Sequence, residues 1–163
     1  MIKLVIGKEA GGLLDMLRYA RYTTIRTLEG LTASQLDQRF DADSNSIGAL
    51  LMHVAGVEVA YQAGTFEGRE LNAEELAQWQ KWLDLTPESQ SPIGQPLDHY
   101  LHLLASIRER TERELLARDE EWLLRATPFG ETEANNYWKW FHVCEDEINH
   151  RGQIRWLRKR LIT

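Results

Sequence analysis

The sequence predicts an all-α protein, a four-helix bundle with one additional short peripheral helix. Four long segments place apolar residues every third or fourth position, no segment alternates apolar and polar residues as a half-buried strand would, and breaks rich in glycine or proline separate them. At 163 residues the chain is long enough for a sizeable core and short for two, which predicts one domain over 1–163.

The first segment, 8–29, carries Leu13, Leu17, Ala20, Thr24 and Leu28 in one stripe, and Gly30 ends it. LTASQLDQRFDADSNS is polar and broken, after which Ser46 is placed to cap a helix through IGALLMHVAGVEVAYQAG, with Gly64 and Gly68 at its exit. NAEELAQWQKWLDL has Asn72 at the N-cap and Glu75 three residues on, a capping box that predicts the short peripheral helix. Three of the four prolines fall in the next loop. A third long helix then runs with Leu97, Leu101, Leu104, Thr111 and Leu115 on one side and fades near Arg118. RATPFGETEANN reads as a connecting loop, and the last helix runs from Asn135 or Asn136 to about Arg160.

Composition narrows the function. With 19 Lys plus Arg against 25 Asp plus Glu the formal charge is −6, which argues against a general nucleic-acid or anionic-membrane surface. The basic cluster RWLRKRL fits a helix C-terminus, where cations oppose the negative pole of the helix. Cys144 is the only cysteine, excluding an intramolecular disulfide and a thiolate-rich zinc site. The N-terminal run MIKLVI is too short for a signal peptide, and no stretch approaches the ~18 apolar residues of a membrane span, so a cytoplasmic location is expected.

The informative stretch is FHVCEDEINHRGQIRW. On a helix Asp146 and His150 lie ~40° apart, and Val143, Ile154, Leu157 and Leu161 fall within roughly 80° of Asp146, so a carboxylate and an imidazole turn toward the apolar side. A buried carboxylate needs a cation, and an Asp146–His150 ion pair would supply one. His53 on the second long helix is likewise flanked at helical spacing by Ala49, Leu50, Val57 and Ala60. Packed helices ~8–10 Å apart can bring the three groups together. His53, Asp146 and His150 would then supply three ligands and leave positions open, as in catalytic sites, with Zn, Ni, Fe or Mn all compatible.

These residues resemble the DinB/YfiT-like superfamily of metal-dependent hydrolases and thiol transferases. Its second helix carries a pattern like L-x-H-x-x-x-x-E, here LMHVAGVE with His53 and Glu58; its last helix carries H-x-x-x-H-R-G-Q, here DEINHRGQ with Asp146 and His150 at the two ligand positions. Asp146 stands where histidine is commoner. The resemblance implies a four-helix bundle with a divalent metal between helices and a metal-bound water or thiolate as nucleophile. It also implies a small-molecule substrate, with a low-molecular-weight thiol as co-substrate in the transferase members.

Other candidates surround the stripe. His142, four residues before Asp146, is expected as a fourth ligand, as an outer partner orienting Asp146, or equally as a surface or capping histidine, and Glu58 is an outer candidate by the family pattern. Glu145, Glu147 and Asn149 are expected to be solvated or to lie around the site. Glu147 and His150 make one E-x-x-H, but a di-iron bundle uses that motif twice and no second copy exists. Cys144 is expected to pack, and His99 and His102 to be exposed. Phe141 and Ile148 give the last helix a second apolar side, to be covered by the peripheral helix or in a homodimer. An alternative to the enzyme is a non-enzymatic bundle whose polar cluster or metal is structural and whose role is partner binding.

Overall fold

The computed structural model describes residues 9–161, so the N-terminal MIKLVI lies outside them. Four long helices form the bundle: α1 (Glu9–Arg26), α3 (Ile47–Gln62), α5 (Leu97–Leu116) and α7 (Asn136–Leu161). They pack in the cyclic order α1, α7, α3, α5. Their boundaries follow local chemistry. Ser46 accepts the Ala49 amide at 3.1 Å and starts α3; α3 leaves through one π-helical turn at Ala63–Glu67 and stops at Gly68, φ 65°, in the left-handed region.

The short helix α4 (Ala73–Leu83) begins in the expected capping box, with Asn72 accepting from Glu74 and Glu75 and returning its own amide to Glu75. It packs on α3, where Trp79 lies against Gly56. Phe141 and Ile148 of α7 stay 44% and 41% exposed. Two further short helices, α2 (Ala33–Asp37) and α6 (Glu120–Leu124), form where periodicity is too brief to register; Thr32 and Asp119 cap them. No described helix is long and apolar enough to cross a membrane.

The stretch read as a loop, RATPFGETEANN, is corrected by a β-hairpin: β1 (Ala126–Phe129) pairs antiparallel with β2 (Thr132–Asn135), Phe129 opposite Thr132. The two-residue turn puts Gly130, φ 58°, at its first position, where left-handed backbone lets the strands keep their twist. Strands of four residues are too short to show alternation, and their faces are not cleanly apolar and polar.

Two apolar clusters fill the bundle. One gathers Leu28, Leu50, Leu51, Tyr100, Leu104, Ile154 and Leu157, with Trp79 and Trp82 of α4; the other gathers Leu13, Leu14, Leu17, Leu115, Leu123, Trp140, Val143 and Cys144. Each fully buried leucine contributes about 1.5–3 kcal/mol relative to exposure. Between the clusters lies a layer of buried charge with one member from each long helix: Arg21, Glu58, Arg108 and Glu147.

Candidate metal centre

His53 projects from the second turn of α3, and Asp146 and His150 project from successive turns of α7, the helix packed beside it. Asp146 Oδ1 stands 3.5 Å from His53 Nε2 and 3.3 Å from His150 Nε2. The imidazole centroids are 4.5 Å apart, and one donor atom from each of the three residues lies within 4.8 Å of the others. Side-chain exposures of 12%, 17% and 12% leave the cluster mostly buried yet reachable from outside.

The ring of His53 is oriented from behind. Its Nδ1 lies 2.8 Å from the Trp82 carbonyl, in the last turn of α4, where helix carbonyls lack intrahelical partners. A carbonyl can only accept, so Nδ1 carries a proton; in the imidazolium form Nε2–H also faces Asp146, and in the neutral form the Nε2 lone pair does, free for a cation. Burial would lower the His53 pKa, but the Asp146 carboxylate and the Trp82 carbonyl raise it above the ordinary value. Burial would raise Asp146, yet hydrogen bonding to His150 and His53 holds it well below the usual carboxylate range.

Two buried atoms at the cluster lack hydrogen-bond partners, Asp146 Oδ2 and His150 Nδ1. An orphaned carboxylate oxygen beside two convergent imidazole nitrogens fits a divalent cation, which would take lone pairs from all three groups. The donor set of two histidines and one carboxylate suits Zn, Ni, Fe or Mn.

The other candidates fall elsewhere. Glu58 turns away into the charge layer: Arg108 donates to its Oε1 at 2.7 Å and to Oε2 at 3.1 Å, Arg21 to Oε2 at 2.8 Å, and Thr111 to Oε1 at 2.6 Å. Burial would raise its pKa, but Arg108 and Arg21 lower it to about 2. His142 meets Glu145 at 3.1 Å and lies among the rings of Tyr61, Phe129 and Trp138.

Glu147, expected to be solvated or beside the site, is instead 1% exposed. It accepts from Arg21 Nε at 2.8 Å and from Arg108 Nη2 at 3.0 Å. Its E-x-x-H partner His150 therefore serves a different centre. Cys144 packs in the second apolar cluster, where burial pushes its thiol pKa up, and His99 and His102 are exposed.

Three residues near the centre escaped the sequence reading. Arg21 and Arg108 sit four residues after Leu17 and Leu104, and an arginine inside an apolar stripe is the signal that marks them. Tyr61, two turns beyond His53, has its phenol pKa raised to about 12 by burial and by the Asp146 charge, so the hydroxyl keeps its proton near the cluster. Cavities lie on both sides along α7. One of about 500 Å³ is bordered by Asn45, Asn149, Gln153 and Trp156, and one of about 250 Å³ by Tyr61, Phe129 and Lys139.

Comparison with known proteins adds independent information. A family model described as mycothiol-S-transferase matches residues 12–162. A search of curated proteins finds no significant match. Among solved structures, a conserved protein from Enterococcus faecalis superimposes with a TM-score of 0.76 at 17% identity, covering 96% of this chain and 98% of that one. An uncharacterized protein from Clostridium difficile gives 0.70 at 15%, covering 97% and 99%. YfiT from Bacillus subtilis, described as a probable metal-dependent hydrolase with an unusual four-helix bundle topology, gives 0.67 at 16%, covering 99% and 93%. At such identities the likeness establishes the fold.

Proposed function

The chain belongs to the mycothiol-S-transferase family, and from that membership we propose that it is a mononuclear, divalent-metal-dependent enzyme that transfers a small thiol to an electrophile. His53, Asp146 and His150 are the ligands. The observation that carries the reading is the convergence of two imidazole Nε2 atoms on Asp146 Oδ1, at 3.5 and 3.3 Å, beside an orphaned second carboxylate oxygen.

When bound, the cation supplies Lewis acidity, lowering the pKa of a thiol that reaches it. The protein's own groups do the rest. The Trp82 carbonyl fixes the tautomer and aim of His53, and Asp146 brings the negative charge that a site of two neutral imidazoles lacks. Tyr61, which feels the Asp146 charge and borders the cavity of about 250 Å³, keeps its phenolic proton. In the net reaction the thiol loses its proton, its sulfur bonds to the electrophilic carbon, and the leaving group departs with the bonding pair.

Elemental analysis of protein purified without chelator, compared with His53→Ala and His150→Ala, tests the centre. About one equivalent in the parent and loss in both variants is expected, and equal content in all three would sink it. Thiol consumption with a panel of electrophiles tests the reaction. Turnover without thiol would make the protein a hydrolase, and metal that raises thermal stability while admitting no exchangeable ligand would make the site structural.

A further inference from the structure

The cavity of about 250 Å³ between α3 and the hairpin is bordered by Ala60, Tyr61, Gly64, Phe129 and Lys139. Its walls are mostly apolar and aromatic. Phe129 meets Trp138 edge to face at 5.0 Å, and Tyr61 faces His142 at 5.9 Å.

Lys139 is the feature that needs explaining. It is 6% exposed. Its Nζ donates to Thr127 Oγ1 at 2.6 Å and Pro128 O at 2.9 Å, while Thr127 O is a long third contact at 3.4 Å. All three acceptors are neutral, the Phe129 ring lies 5.9 Å from Nζ, and burial lowers the Lys139 pKa. Arg21 and Arg108, by contrast, each meet two carboxylates, and Asp146 stands between two imidazoles. A buried ammonium costs stability unless an anion accompanies it.

We infer that this cavity binds a small carboxylate with a flat apolar body, the carboxylate on Lys139 and the body against Phe129. A carboxylate oxygen would take over the proton now held by the long Thr127 contact, making a charge-assisted bond in place of a weak one. The Pro128 carbonyl and Thr127 hydroxyl hold the ammonium in the cavity wall meanwhile. Lys139 precedes Asp146 by seven residues, about 10 Å along α7, so the far end of a ligand that runs along the helix points at the metal centre. Such a ligand is the electrophile of the transfer reaction. That role rests on the function proposed above, whereas the binding itself does not.

The test uses benzoate and its neutral isostere benzamide, titrated against the full-length, chelator-treated protein by tryptophan fluorescence and ligand-observed NMR. Benzoate is expected to bind about tenfold or more tightly than benzamide, the worth of one charge-assisted bond. Gly64→Leu adds a side chain where a Cβ meets nothing within 4 Å. It is expected to fill the cavity and abolish benzoate binding with the melting temperature retained. Lys139→Gln should equalise the two ligands; should it unfold the hairpin, Gly64→Leu decides alone. Equal affinities in the parent, no binding of either ligand, or benzoate binding untouched by Gly64→Leu would overturn the inference. Metal content, measured on the same samples, should be unchanged by Gly64→Leu. Loss of the metal centre would leave the benzoate result standing, and the converse holds.

Discussion

Asp146 and Glu147 are consecutive residues whose carboxylates enter different centres: Asp146 Oδ1 lies 3.3 Å from His150 Nε2, while Glu147 Oε1 accepts from Arg21 Nε at 2.8 Å. The ~100° step of the helix separates them. One carboxylate keeps an oxygen without a partner, and the other has both oxygens occupied by guanidinium donors. Substitutions at the two positions should therefore separate metal binding from stability.

Glu147→Gln strands part of two buried guanidinium charges. Breaking a buried pair from one side costs about 3–5 kcal/mol, so the urea midpoint should fall sharply. Glu145→Gln, on the exposed side of α7, should stay within about 0.5 kcal/mol.

Asp146→Asn keeps the shape and removes the charge. Metal affinity, measured by competition with a chromophoric chelator, should fall about 100-fold or more, since changes even in outer partners of metal ligands cost 10–100-fold. The folded state should survive, because Asp146 is at the reachable edge of the cluster. Asp146→His should retain metal.

Acid should unfold the protein through Glu58. Its folded pKa is depressed to about 2 from an ordinary 4.5. A depressed carboxylate contributes stability that is fully present above the unfolded pKa and lost as pH falls through the folded one. The contribution is on the order of 3 kcal/mol, disappearing between about pH 4.5 and 2. Stability measured from pH 6 to 2 should show this loss, and Glu58→Gln should flatten it while lowering the plateau.

Gly48 sits where the first turn of α3 approaches Tyr100. A Cβ there would lie 2.7 Å from the Tyr100 hydroxyl and 3.3 Å from the Leu36 carbonyl. Tyr100 is fully buried and cannot swing into solvent. Gly48→Ala should cost about 1–3 kcal/mol by overpacking despite its better helix propensity, as read by thermal melting.

Much of this arrangement was legible in the sequence. The stripe Leu13, Leu17, Ala20, Thr24 and Leu28 is buried throughout, the caps at Ser46 and Asn72 form as their residue types dictate, and His53, Asp146 and His150 converge. Glu147 was not legible, because one helix does not reveal whether a residue ~100° from the apolar stripe meets water or another helix. Its partners come from α1 and α5, 126 and 39 residues away. The hairpin escaped for a different reason: four-residue strands carry too few alternations to outweigh the Pro128 and Gly130 signals of a loop.

The layer of four charges also governs how the bundle can come apart. Each long helix contributes one member, so the departure of any single helix leaves an unmatched ion in the interior. Partial opening through this level carries the cost of stranding a buried charge, which couples the two apolar clusters to each other. Amide exchange around Arg21, Glu58, Arg108 and Glu147 should converge on a single opening free energy, while α4 and the hairpin exchange faster.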